Sequence, residues 1–209
     1  MTKKIILHLC ADTGSDTKPY QDDPNYEVRL IGSKIGVENY HVEEPIYGIV
    51  ANPVCTEFST ARKGGKARNP EEGMFLVKEC MRIVNEAMYF GELKFYVIEN
   101  PAKGELKNYM GKPVFQYQPW EFGSPWTKKT ALWGEFNIPE KVYTDWEDVP
   151  KLEGLYQRPG RGKPSLAFMH KSHYHKIPEF QSLPVPESDM EFRSLCSQKF
   201  AQAFKKANP

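Results

Sequence analysis

Long hydrophobic runs are missing from this chain: none approaches the roughly 18 residues a bilayer-spanning helix needs, so no spanning helix is expected. The opening MTKKIILHLC carries two lysines before an apolar stretch, but that stretch is short and has no small-residue cleavage site after it. It reads as a first buried strand. Cysteine is scarce too. Cys10, Cys55, Cys80 and Cys196 are far apart, with no CxxC pair and no zinc-like His/Cys spacing, which favours a reduced, cytoplasmic protein without a structural metal. Charge of one sign is lacking: 28 basic against 27 acidic residues leave a net charge of +1, so any nucleic-acid footprint must be local. There is no internal repeat and no low-complexity tract. With 209 residues, the chain is expected to form a single domain.

What is present alternates in the strand-then-helix order of an α/β fold with a parallel sheet. Residues 4–10 (KIILHLC), 26–31 (YEVRLI), 47–51 (YGIVA) and 95–98 (FYVI) read as four strands. Residues 71–90 have apolar positions at helical spacing with acidic residues in the first turn, and read as the clearest helix. The turn-rich ADTGSDTKPYQDDPN segment between the first two strands leaves room for a short helix. About 145–189 the chain becomes proline-rich and loses its periodicity, which predicts an irregular excursion; helical spacing returns in RSLCSQKFAQAFKKANP.

Two strand ends carry chemistry. Cys55 follows the third strand in ANPVCTEFS, just before the basic run ARKGGKAR, and a nearby positive field favours a thiolate. Alternatively, Cys55 is a small buried hydrophobe. Glu99 opens ENP directly after the fourth strand, where an acid with raised pKa or a simple turn residue would both fit. The βα order brings both to the carboxyl edge of a sheet, where open α/β folds hold ligands.

Taken together, ANPVC, ENP, LHLCADTGSDTKPY, QPWEFGSPWTKKTALWG and the closing FAQAFKKANP resemble the motifs of phage-type DNA cytosine-5 methyltransferases, in the same order across nearly the whole chain. The resemblance implies a Rossmann-like class I methyltransferase fold, with a central mostly parallel sheet and flanking helices. It implies S-adenosylmethionine as cofactor, held by Ala11, Asp12, Thr13, Gly14, Ser15, Glu38 and Asn52. It further implies that Cys55 adds to carbon 6 of cytosine, that Glu99 donates to ring nitrogen 3, and that Lys128 stands in the segment where the family carries arginines. Three positions depart from the family pattern. Gly32 stands where an acid usually ends the second strand, so restoring Asp there is expected to tighten cofactor binding; Val54 replaces a proline; and Trp126, Lys128 and Thr130 fall on the Gln-x-Arg-x-Arg segment, leaving one cation.

The expected partner is DNA, duplex or single-stranded. Residues 157–176 carry Arg158, Arg161, Lys163, Lys171 and Lys176 with no acid, interleaved with Phe168 and Tyr174, a composition suited to phosphate contact and base stacking; Arg62 and Lys63 add to it. The aromatic run Tyr117, Trp120, Phe122, Trp126 and Trp133 either lines a pocket or fills the core. Two other readings stay open: the same Cys/Glu chemistry on a pyrimidine nucleotide or RNA, and a degenerate non-catalytic binder of nucleic acid or protein.

Overall fold

The computed structural model describes residues 2–58 and 69–209. Six strands form one mixed sheet: β1 (Lys4–Leu9), β2 (Tyr26–Ile31), β3 (Gly48–Ala51), β4 (Phe95–Pro101), β5 (Phe115–Tyr117) and β6 (Thr130–Glu135), in the order β2-β1-β3-β4-β6-β5. β1 to β4 are parallel, whereas β6 runs antiparallel to both β4 and β5. Among the described residues five α-helices flank them: α1 (Lys18–Gln21), α2 (Pro70–Tyr89), α3 (Lys107–Met110), α4 (Asp189–Ser194) and α5 (Gln198–Ala207).

The sheet is buried on both faces, and side-chain alternation sorts its residues between them. Ile5, Leu7 and Leu9 of β1 pack with Ile49, Ile98 and the α2 residues Val77, Cys80, Ile83 and Val84. Ile6, Val50 and Val97 face the other way, onto Phe200 and Phe204 of α5. There Phe200 stacks on Tyr117 with ring centroids 3.7 Å apart. α2 starts where its sequence says it should: Pro70 is its first residue, and the Asn69 side chain accepts from the Glu72 amide at 3.3 Å.

Three differences from the sequence expectation have local causes. The fourth strand continues through ENP to Pro101, because the antiparallel partner β6 extends the ladder and pairs Glu99 with Leu132 and Pro101 with Thr130. Proline is tolerated there because the ladder with β3 ends at Ile98 and the bond to the β6 side is made by the next amide, Ala102 to the Lys129 carbonyl at 3.0 Å, so no ladder bond needs an amide hydrogen at residue 101. The closing segment is two helices, not one; Leu195 is extended and the Ser197 hydroxyl caps α5 by accepting from the Phe200 amide at 3.1 Å. The excursion at 145–189 contains only 3-10 turns, as its prolines suggest, yet it has a core of its own. Leu166, Met169, Tyr174, Ile177, Phe180 and Leu183 enclose Trp126 together with Phe192 and Leu195.

Of the aromatic run, Tyr117, Phe122, Trp126 and Trp133 are core residues. Only Trp120 is half-buried, with the Lys163 ammonium 4.6 Å above its ring. Among the described residues no helix is long and apolar enough to cross a membrane.

Candidate active site

Strand parity builds the site. His8, Asn52 and Glu99 have the same alternation as Ile6, Val50 and Val97, so all three project from the α5 face at the carboxyl ends of β1, β3 and β4. Pairing of Ala51 with Ile98 sets Asn52, one residue beyond β3, next to Glu99. The Asn52 amide nitrogen lies 3.3 Å from Glu99 Oε2 and 3.3 Å from Asp16 Oδ1. Its carbonyl oxygen lies 2.6 Å from His8 Nε2. The two strand-end loops are tied together, since Asn100 Nδ2 donates to the Pro53 carbonyl at 2.9 Å and the Glu105 amide donates to the Phe58 carbonyl at 2.9 Å.

Three of the expected catalytic residues share this region. Burial raises the Glu99 pKa, with the Lys128 cation opposing and Asp16 reinforcing; Asn52 and Thr130 donate to the carboxylate and pull it back down. The Cys55 thiol is also raised, by burial first and then by the Glu99 charge, while Lys128 and a backbone amide act against them. The groups described around Cys55 thus favour the thiol over the thiolate that a positive field from the basic run would favour. Lys128 is the described cation that acts on it, and the run 61–68, with Arg62 and Lys63, lies outside the described residues. Lys128 is itself anchored: its ammonium donates to the carbonyls of Ser194 and Leu195 at 2.8 and 3.1 Å. Those carbonyls end α4, so the cation also satisfies a helix terminus.

The expected cofactor residues divide into two groups. Ala11 is buried against the end of β2, with its amide 3.4 Å from the Ile31 carbonyl. Gly14 has φ +66°, a left-handed conformation that itself favours glycine, and a Cβ there would also press on Leu30 at 3.1 Å. Thr13 Oγ1 lies 3.4 Å from the Ser15 amide. Ser15 faces inward: its hydroxyl accepts from the Cys196 amide at 3.1 Å and its carbonyl from Gln198 Nε2 at 2.9 Å. Asp12 and Glu38, by contrast, are exposed carboxylates beyond β1 and β2, Glu38 folding back over Gly36. Arg82 of α2 holds the Glu38 turn by donating to the carbonyls of Val37 and Tyr40, both at 2.9 Å. Gly32 is not an open vacancy. A Cβ there would lie 2.3 Å from Asp12 Oδ1 and 2.5 Å from the Ala11 carbonyl oxygen, so an acid at position 32 has no room and the expected gain from restoring it is withdrawn.

The donor set suits a ligand bearing an ammonium group and ribose hydroxyls: Asp12, Asp16 and Glu38 are carboxylate acceptors grouped on the strand-end loops, and none of the three has a salt-bridge partner among the described residues. Among the described residues no cluster of His, Cys, Asp or Glu could hold a metal ion.

The basic strip is smaller than its sequence implies. Tyr174 is a core residue whose hydroxyl donates to the Leu183 carbonyl at 2.6 Å, leaving Phe168 as the exposed aromatic, with the Arg158 guanidinium 5.0 Å above its ring. The Lys171 ammonium donates to the Glu187 carbonyl. Arg158 and Arg161 are exposed at a turn. Lys163 precedes the Pro164–Leu166 stretch that bonds Thr127 on both sides, at 2.9 and 3.1 Å, one residue from Lys128. The strip thus abuts the strand-end site.

Two residues of the site went unread in the sequence. His8 carries a visible signal, a lone polar residue within the apolar strand KIILHL, and Asp16 directly follows the loop residues already singled out. No protein-family model matches this chain, and no curated protein does.

Proposed function

We propose that the protein is an S-adenosylmethionine-dependent methyltransferase acting on carbon 5 of cytosine in DNA, built on a Rossmann-like class I sheet. One observation carries the reading: at adjacent strand ends, a nucleophilic thiol and a carboxyl with raised pKa lie within each other's electrostatic reach, with one lysine acting on both.

Cytosine has no nucleophilic carbon 5 until something adds at carbon 6. Cys55 supplies that addition. Its raised pKa keeps it a thiol at rest, so its proton must pass to solvent as the sulfur adds to carbon 6, and Lys128 would stabilise the transient thiolate. Charge then develops on the pyrimidine ring, and Glu99, whose carboxyl burial biases toward the protonated form, donates to ring nitrogen 3 and accepts from the exocyclic amine. Asp12, Asp16 and Glu38 would hold S-adenosylmethionine, which when bound supplies an electrophilic methyl group. Proton removal from carbon 5 releases Cys55 by elimination. Flipping the base out costs a few kcal/mol in duplex DNA and less in a single strand. Arg158, Arg161 and Lys163 would take the flanking phosphates.

The smaller exposed strip also favours a second reading, in which the same residues act on RNA or a pyrimidine nucleotide. Incubation with 5-fluorocytosine DNA and S-adenosylmethionine is the test, because fluorine blocks the final elimination. A covalent adduct formed by the native protein and absent from Cys55→Ser is expected; no adduct on DNA, with one on RNA or nucleotide, would move the substrate. No adduct on any of them would overturn the reading.

A further inference from the structure

Behind Glu99 runs a chain of hydrogen bonds that the reaction above does not use. Gln21 Nε2 donates to Thr17 Oγ1 at 3.2 Å, Thr17 Oγ1 lies 2.8 Å from His8 Nδ1, and His8 Nε2 lies 2.6 Å from Asn52 Oδ1. It ends at the Asn52 nitrogen, 3.3 Å from both Asp16 and Glu99. His8 is 2% exposed and Thr17 fully buried, so water does not compete for the bond between them, whereas Gln21 and Asn52 at the two ends are more open.

We infer that His8 is a positioning residue for Glu99: as the neutral Nε2–H tautomer it locks the Asn52 amide so that its NH2 group serves Glu99 and Asp16 together. The assignment follows from donor and acceptor counting. The Asp16 carboxylate and the Glu99 carboxyl on one side of Asn52 are both met only when its two N–H bonds face them, so the carbonyl faces His8. A carbonyl oxygen 2.6 Å from a ring nitrogen requires a proton on that nitrogen. His8 Nδ1 is then the acceptor, and the Thr17 hydroxyl, which lies 3.3 Å from the Gly14 carbonyl but 2.8 Å from Nδ1, gives its one proton to the nearer ring nitrogen while its oxygen is met by Gln21. Burial disfavours the imidazolium that would satisfy both sides otherwise.

The consequence for Glu99 is geometric. With Oε2 held as an acceptor, the acidic proton resides on Oε1, and a side chain that could otherwise rotate presents one oxygen as donor. Flipping of Asn52 would point a carbonyl at two carboxylates and push the Glu99 proton affinity upward. This inference rests on the catalytic reading only for its use; the lock itself is testable without turnover.

Nuclear magnetic resonance of the native protein with labelled histidine and glutamate tests it. The His8 ring is expected to be neutral and protonated at Nε2 from pH 6 to 8; an Nδ1–H tautomer or an imidazolium would overturn the inference. The Glu99 carboxyl, assigned by Glu99→Gln, is then titrated in variants. It also senses Lys128, Asp16, Cys55, Tyr117, Cys196 and Thr130, from the elements packed around it, and these are left unchanged. Asn52→Leu is expected to raise the midpoint by about one pH unit through loss of a donor. His8→Leu should raise it comparably, His8→Gln should restore most of it through its own N–H, and His8→Leu should add nothing once Asn52 is Leu. An unchanged midpoint in folded His8→Leu, or full additivity with Asn52→Leu, would overturn the inference; should His8→Leu not fold, the tautomer decides. Loss of adduct formation with the lock intact would count against the catalytic reading alone.

Discussion

The Asp12 carboxylate, on the loop after β1, accepts from both the amide and the hydroxyl of Ser33, on the loop after β2, at 2.8 and 3.0 Å. One oxygen thereby closes the gap between the tips of two parallel strands, directly over Gly32. Gly32→Asp is therefore expected to destabilise the protein by about 1–3 kcal/mol through overpacking, and not to tighten S-adenosylmethionine. Asp12→Asn should weaken the cofactor several-fold while leaving the fold intact. Thermal melts and calorimetric titration of both variants check this pair of outcomes.

Lys128 lowers the proton affinity of Cys55 and Glu99 alike. Lys128→Met should therefore move both upward. Alkylation of Cys55 by iodoacetamide, expected to be slower at pH 7.5 than that of a free thiol, should become several-fold slower still, and the rise in rate with pH should shift to more alkaline values. Alkylation unchanged in Lys128→Met would show that the lysine serves only the carbonyls at the end of α4.

Glu179 gives a pH signature in stability. It accepts from the Ser124 hydroxyl at 2.7 Å and from the Gln198 and Lys199 amides at 2.7 and 3.2 Å, capping α5 from a neighbouring turn. Burial nonetheless raises its pKa, outweighing those bonds. Above the ordinary glutamate range and up to its folded value the native state binds the extra proton, so this group's contribution to stability falls as pH rises through that window. In Glu179→Gln that slope should vanish from denaturant titrations. Glu179→Ala, which leaves two amides and a hydroxyl unmet, should cost about 1–3 kcal/mol.

The basic strip should separate under mutation. Arg158→Ala with Arg161→Ala should weaken DNA binding and reduce the dependence of log K on log salt by about two, if each arginine takes one phosphate. Lys171→Ala, whose ammonium is spent on the Glu187 carbonyl, should lower the melting temperature without changing that salt slope. Binding isotherms at several salt concentrations distinguish the two.

Period-two and period-3.6 patterns made β1, β2, β3 and α2 legible within a residue or so, because burial on two faces leaves near-continuous apolar runs and a long amphipathic helix has many turns to register. β5 and β6 escaped notice: FQY is too short to show alternation, and TALWGE owes its strand to pairing with β4. Motif order pointed to Cys55, Glu99, Asn52 and Lys128, which the structure brings into one region. Asp16 and His8 depend on a network spanning four segments, which no linear spacing reveals. Tyr174 reads as a stacking residue from its basic neighbours, but its burial is decided by Leu166 and Phe180 around it.

The Ser15 hydroxyl waits for an amide 181 residues further along the chain, that of Cys196, and its carbonyl waits for Gln198. During synthesis at about 5–20 residues per second, roughly 10–40 s separate the emergence of these partners from the ribosome. Four parallel strands and α2 can assemble in that interval with the loop beside Asp16 still untethered. Closure of this strand-end loop is in this sense a late event of synthesis, and a nascent chain released before Cys196 would carry the sheet but not these two bonds.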